Sequence, residues 1–233
     1  HVELTASPDL AMRQLEPRGS TSEDAAYAQM RERSEQPDFS YSFGARIAAS
    51  TRFGLTLLSG FNYTQLNERL RYVTETEERF TIINIIGPGG QITGVDTLYE
   101  TIHREHTIQN RYRSIDIPVL AGYEFPVNRW LLSAHGGILI NMLFRQQGSM
   151  YLPEGEMPVS FASLEQEGTP AFRNRLGIGW YAGAGVAFKI RHNLQIMAEP
   201  HLRAYPKSFT TAQFATKQSY TQAGLAIGLR YQI

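Results

Sequence analysis

The amino-acid sequence predicts an all-β protein, an eight-stranded antiparallel up-and-down transmembrane β-barrel, and three observations carry that expectation. Apolar residues recur at every second position along segments as long as 130–144. The connections between these segments alternate strictly between tight turns and long loops. The segments number eight, and a closed single-chain barrel wants an even count.

The first strand is expected over 2–14, with Val2, Leu4, Ala6, Leu10 and Met12 opposite Glu3, Thr5, Ser7, Asp9 and Arg13. In 39–49, Phe39, Tyr41, Phe43, Ala45 and Ile47 alternate with Ser40, Ser42, Gly44 and Arg46. The third strand, 52–72, sets Phe53, Leu55, Leu57, Phe61 and Tyr63 on one side, and the fourth, 107–125, sets Ile115, Ile117, Val119, Ala121, Tyr123 and Phe125 against Asp116 and Glu124. The fifth, 130–146, carries Trp130, Leu132, Ile138, Ile140, Met142 and Phe144 on a wholly apolar face, far longer than an ordinary soluble strand of about 5–6 residues. Strands at 175–190, 193–205 and 217–232 complete the set. Tight turns fall near Ser50, at 126–128 and at 191–193, and long loops at 15–38, 73–106, 147–174 and 206–216. Short periplasmic turns and long extracellular loops are the outer-membrane pattern, which places both ends of a single domain spanning 1–233 on the periplasmic side. Phe53, Phe125, Trp130, Phe188 and Tyr231 beside the turns, and Phe39, Tyr41, Tyr63 and Phe144 toward the loops, read as two interfacial girdles.

Composition agrees with this reading. The chain has no cysteine and balances 22 Lys+Arg against 22 Asp+Glu, so there is no basic field to draw nucleic acid. The lack of a run of about 18 apolar residues excludes a transmembrane helix, and a mean hydropathy of -0.30 would ordinarily indicate a soluble chain, but strands that alternate lipid-facing and lumen-facing residues escape both tests.

On the inward register lie Glu3, Asp9, Asp116, Glu124 and Glu199 against Arg13, Arg46, Lys189, Arg203 and Arg230, with His201 among them. An eight-stranded interior is only wide enough for side chains, and charges buried there must pair, which predicts a salt-bridged plug with no open pore. The spacing Glu199, His201, Arg203 resembles a catalytic constellation but is expected to be one stave of that plug. No histidine falls on the lipid-facing positions, and His135 shares the inner face with Ser133, so no catalytic residue is assigned. His103 and His106 in HREH point to opposite faces of a strand, so no metal is expected, and GIGWYAGAG lacks the turn and helix of a phosphate loop, so no cofactor is expected. Pro118 and Pro200 within strands are expected to mark bulges.

The 73–106 connection contains FTIINIIGPGGQITGVDTLYETI, two β-branched runs about a glycine-rich turn. It reads as a hairpin carrying Phe80, Ile82, Ile86, Gly89, Ile92 and Tyr99 past the membrane, either exposing an edge to another strand or roofing the barrel. The polar 15–38 loop is expected to be mobile.

SIDIPVLAGYEF, AEPHLRAY and the terminal GLAIGLRYQI, with ELTASPDLAMRQL at the first strand, resemble the PorT-like, OmpX-like outer-membrane β-barrel domain of Bacteroidota. The resemblance implies a non-enzymatic monomeric barrel in the outer membrane of a Gram-negative bacterium, surrounded by outer-membrane lipids. It implies a small structural protein, a secretion accessory, or an anchor or sensor, including the C-terminal barrel of a dual membrane-spanning anti-sigma factor. The hairpin itself suggests an interaction or adhesion module with a protein partner there or on the periplasmic side, and a lipid-modifying enzyme is the third alternative. A chain that opens at the edge of its first strand fits a domain excerpt or a mature chain.

Overall fold

Alternation of β-branched or aromatic residues with small polar ones favours pleated strands, and the chain takes that form along most of its length. The computed structural model describes residues 1–233 apart from Gly87, Gly89 and Glu156 and the side chains of residues 75–79, 84, 93 and 100–103. In order, the elements are β1 (Val2–Pro17), α1 (Ser22–Ser34), β2 (Glu35–Ser50), β3 (Leu55–Ile86), β4 (Ile92–Val127), β5 (Trp130–Gln147), β6 (Ser149–Met150), β7 (Val159–Ser160), α2 (Phe161–Gln166), β8 (Ile178–Lys189), β9 (Leu194–Ala204) and β10 (Thr216–Tyr231). Eight strands close into a ring, β1-β10-β9-β8-β5-β4-β3-β2, every neighbour antiparallel, while β6 and β7 make a separate small ribbon.

The tight connections are held by local geometry. Gly54 takes φ +91°, where a side chain would be strained, and a Cβ there would lie 2.5 Å from the Glu124 carbonyl oxygen. Asn128 turns the β4–β5 link with φ 55°, a conformation Asn tolerates.

The prolines do not mark bulges. The β3–β4 ladder stops at Ser59↔Val119 and resumes in unchanged register at Asn62↔Asp116, and the β8–β9 ladder does the same between Gly183↔His201 and Val186↔Ala198. Pro118 and Pro200 sit in these gaps, where the missing N–H leaves a ladder rung unmade without displacing either strand. The bulge that matters lies elsewhere. Ile115 pairs with Leu143 but Asp116 pairs with Asn141, so Met142 is the extra residue and everything beyond it reverses face. Phe144, expected on the lipid side, is therefore 2 % exposed and points inward.

The long loops are more structured than the sequence suggests. In place of a mobile 15–38 loop, β1 continues to Pro17, and α1 follows. Thr21 caps the helix by accepting from the Asp24 N–H at 3.2 Å, and Asp24 accepts in return from the Thr21 N–H at 3.3 Å. Glu23 and Asp24 in the first turn and Arg31 and Arg33 in the last oppose the helix dipole favourably, and the helix buries Tyr27, Ala28 and Arg31.

Leu4, Leu57, Phe61, Val119, Ile138, Ile196, Leu202 and Ile227 are all exposed on the outer surface, while Glu3, Asp9, Arg46, Glu199 and Arg230 are buried inside. A barrel that is apolar outside and ionic inside is suited to a bilayer and reverses the order of a water-soluble one. No helix among the described residues is long and apolar enough to cross a membrane. Leu57, 67 % exposed near the middle of the apolar belt, provides a direct check. Leu57→Arg is expected to cost about 2–4 kcal/mol of stability in lipid vesicles. Measured by urea titration, a cost near zero would contradict burial of this surface in hydrocarbon.

Candidate functional site: a sealed core and a projecting hairpin

Inside the barrel the expected charges meet in a continuous network. Glu3 binds Arg230 at 2.6 Å and Arg46 Nε at 3.2 Å. Arg230 passes on to Glu124 at 2.8 Å, and Arg46 to Glu199 at 3.1 Å. Glu199 also accepts from the Tyr181 hydroxyl at 2.6 Å and lies 3.2 Å from His135 Nδ1. Above this layer Arg203 pairs with Asp9 and donates to Ser42 at 2.7 Å and Thr64 at 2.8 Å. His201 stacks on Tyr181 with ring centroids 5.3 Å apart, its Nε2 3.5 Å from Asp9.

Three residues of the expected set behave differently. Lys189, at the end of β8, is half-buried and makes no ion pair among the described residues. Asp116 is buried without a cation, held by Asn141 at 2.6 Å and Ser114 at 3.0 Å. Arg13 belongs to a second cluster nearer the extracellular end, bound to Glu35 at 2.6 Å and Glu68 at 3.2 Å, with Arg31 closing on Glu35 at 2.7 Å. Sequence reasoning misses Arg31, Glu35 and Glu68, because the first two fall in a segment that reads as loop and the third lies beyond Tyr63, the last outward aromatic of its strand. An inward parity carried past Asn62 finds Glu68.

The extracellular mouth is capped by aromatic rings drawn from β4, β5, α2 and the loops between strands. Phe144 stacks parallel to Tyr112 at 6.4 Å, Phe172 packs edge-on to Tyr112 at 5.3 Å, and Phe209 meets Phe144 at 5.0 Å, with Phe161 and Leu164 of α2 behind them. Below this lid, a void of about 20 Å³ beside Arg46, Tyr181, His201 and Arg203 has room for about one water. Ions filling the core and rings sealing its mouth are the arrangement of a plug. His135 and His201 are 4 % and 6 % exposed, so neither is presented to a substrate in the bilayer or outside. Among the described residues no group of three potential ligands could hold a metal.

What projects is the hairpin. The β2–β3 ladder starts at Glu35↔Leu70 and the β4–β5 ladder ends at Arg111↔Gln147, yet β3 and β4 go on pairing with each other to Ile86↔Ile92. From Arg71 to Ile86 the ribbon extends about 50 Å at 3.3 Å per residue. Among the described residues, neither of its outer edges belongs to a barrel ladder beyond those two rungs, so the ribbon extends past the ring instead of pairing across it. Phe80 faces Tyr99 directly across the ribbon. Phe80, Ile82, Ile86, Ile92 and Tyr99 are 60–70 % exposed, and Ile83, Ile85, Val95 and Leu98 are exposed as well. Gly89 lies outside the described residues, as does the side chain of His103. His106, at the base, stacks on its cross-strand partner Tyr72 at 5.2 Å.

No protein-family model and no curated protein matches the chain. Among solved structures it is similar to Neisserial surface protein A, with 12 % identity over 99 % of this chain and 97 % of that one and a TM-score of 0.44. It is similar to the outer-membrane protease OmpT of Escherichia coli, with 10 % identity over 85 % of this chain and 65 % of that one and a TM-score of 0.44. The attachment invasion locus protein Ail of Yersinia pestis, in complex with the heparin analogue sucrose octasulfate, gives 12 % identity over 99 % of both chains and a TM-score of 0.36.

Proposed function

We propose that this outer-membrane barrel of a Gram-negative bacterium works without enzymatic activity, as a rigid anchor whose working part is the extracellular hairpin of β3 and β4. The observation that supports the reading most is the contrast between core and projection. The interior is filled and sealed, whereas a ribbon with free edges and exposed Phe80, Ile82 and Tyr99 stands beyond it. A free strand edge offers main-chain donors and acceptors to an incoming strand, and the alternate apolar side chains offer selectivity. The partner on this reading is an extended protein segment.

The anchor or sensor role in an anti-sigma factor, and membership of the PorT-like group in Bacteroidota, draw on sequence resemblance; on that reading the same hairpin is the part that senses. The test is a photo-crosslinker placed at Ile82 and, separately, at Leu55 at the opposite end of the same strand, in living cells. A discrete protein adduct is expected at position 82 alone, reduced about tenfold by Ile83→Pro, because a proline at the Ile83↔Asp96 rung disrupts the ribbon that presents the edge. Deleting residues 80–99 should leave the heat-resistant barrel intact and abolish partner capture, read by co-purification of the crosslinked partner's protein with the barrel. Equal adducts at both positions, or none at 82, would count against a hairpin that captures a partner.

A further inference from the structure

One sector of the outer rim departs from the rest in its electrostatics. Two exposed cations elsewhere on this rim have carboxylate partners: Arg69 with Asp38 at 2.9 Å and Lys217 with Glu16 at 3.9 Å. On the β4–β5 sector, Arg113 is directly opposite Arg145 in the ladder. Like charges in that relation repel. Arg113 has only the neutral Gln65 side chain, at 3.2 Å, and Arg145 forms no ion pair or side-chain hydrogen bond among the described residues. Arg145 and Arg175 both line a recess of about 340 Å³ floored by Met142 and Leu143, with Glu165 as the acidic group on its wall.

The height of this pair is set by the backbone. Arg113 is two residues beyond Ile115, and Arg145 two beyond Leu143, the last lipid-facing residues of their strands. Two residues along a tilted strand rise about 5 Å above the hydrocarbon, which is the headgroup layer. The bulge at Met142 sets the face of this pair: had Met142 been paired in strict alternation, Phe144 would face lipid and Arg145 the lumen.

We infer that Arg113 and Arg145, assisted by Arg175, form a binding site for the phosphate groups of anionic outer-leaflet glycolipid. Guanidinium forks match phosphate oxygens bidentately, and an anion between two opposed arginines removes their repulsion. The recess below would receive the first part of an acyl chain against Met142 and Leu143. This inference rests on the membrane reading above, and its test separates the two.

Wild type, R113Q/R145Q and the rim control R69Q would be placed in phosphatidylcholine nanodiscs with added diphosphoryl lipid A or its dephosphorylated form, and bound lipid read by native mass spectrometry. Wild type and R69Q should retain the diphosphoryl lipid alike, R113Q/R145Q should bind it about tenfold less, and no variant should retain the dephosphorylated form. Equal retention by R113Q/R145Q, or of the dephosphorylated lipid, overturns the site. Inorganic phosphate competing as tightly as the lipid overturns the lipid assignment in favour of a free-anion site. Heat-dependent gel mobility reports insertion independently. A variant that fails to insert is replaced by R145Q alone, and a wild type that fails to insert removes the membrane reading and this inference together.

Discussion

Replacing Glu199 by leucine should cost about 3–5 kcal/mol of barrel stability, because it leaves Arg46 and its neighbours as uncompensated charge in a closed interior. Glu199 is fully buried and holds Arg46 at 3.1 Å, His135 at 3.2 Å and the Tyr181 hydroxyl at 2.6 Å. Glu3, the other carboxylate on Arg46, is already shared with Arg230, so it cannot fully take over. The measurement is the urea midpoint of refolding into lipid vesicles. The double variant Arg46→Met with Glu199→Leu should recover much of the loss, since removing both partners also removes the unpaired charge. A single variant that costs under about 1 kcal/mol would show that the network tolerates an orphan and is not what holds the staves together.

Gly60→Val should prevent β2 and β3 from closing, at a cost of about 3 kcal/mol or more. A Cβ at Gly60 would lie 2.0 Å from the Ala45 carbonyl oxygen and 2.8 Å from Arg46 Cα. Both obstacles are backbone, so no rotamer change relieves them. Gly94 gives the contrast, because a Cβ there meets only the flexible end of Ile85 at 3.5 Å. Gly94→Val should fold as wild type by heat-dependent gel mobility while Gly60→Val does not. Similar behaviour of the two would mean that close strand approach at Gly60 is not required.

The periodicity that reveals the staves is legible because lipid and lumen impose opposite chemistry on successive residues, as Leu55, Leu57 and Phe61 outside and Thr56 and Thr64 inside illustrate. That signal weakens where the constraint does. Met142 breaks parity without any change of composition, so parity alone puts Phe144 on the wrong side. Arg31 and Glu35 read as ordinary polar loop residues, and only the packing of α1 over the mouth brings Arg31 onto Glu35, Thr216 and Gln218. The lid is similarly non-local, since Phe144, Phe161, Phe172 and Phe209 are joined by contacts that no single segment encodes. The hairpin is legible because its β-branched runs and glycine-rich turn are local features, although its independence from neighbouring strands is not.

The ring is sealed by the pairing of β1 with β10, from Val2↔Tyr231 to Pro17↔Thr216. Within the ring, β1 therefore waits for β10, and until they meet the assembling sheet has two raw edges and an ionic face with no enclosure. Long-range closure of this kind is slow, and open edges invite wrong pairing. Assembly must be close to all-or-none: a stalled intermediate missing β10 would leave Glu3 without Arg230 and Asp9 beside an open seam, presenting unpaired charge to the bilayer. The same ion pairs that weld the finished barrel thus act as a check on incomplete ones, allowing the molecule to settle in lipid only once the circle is whole.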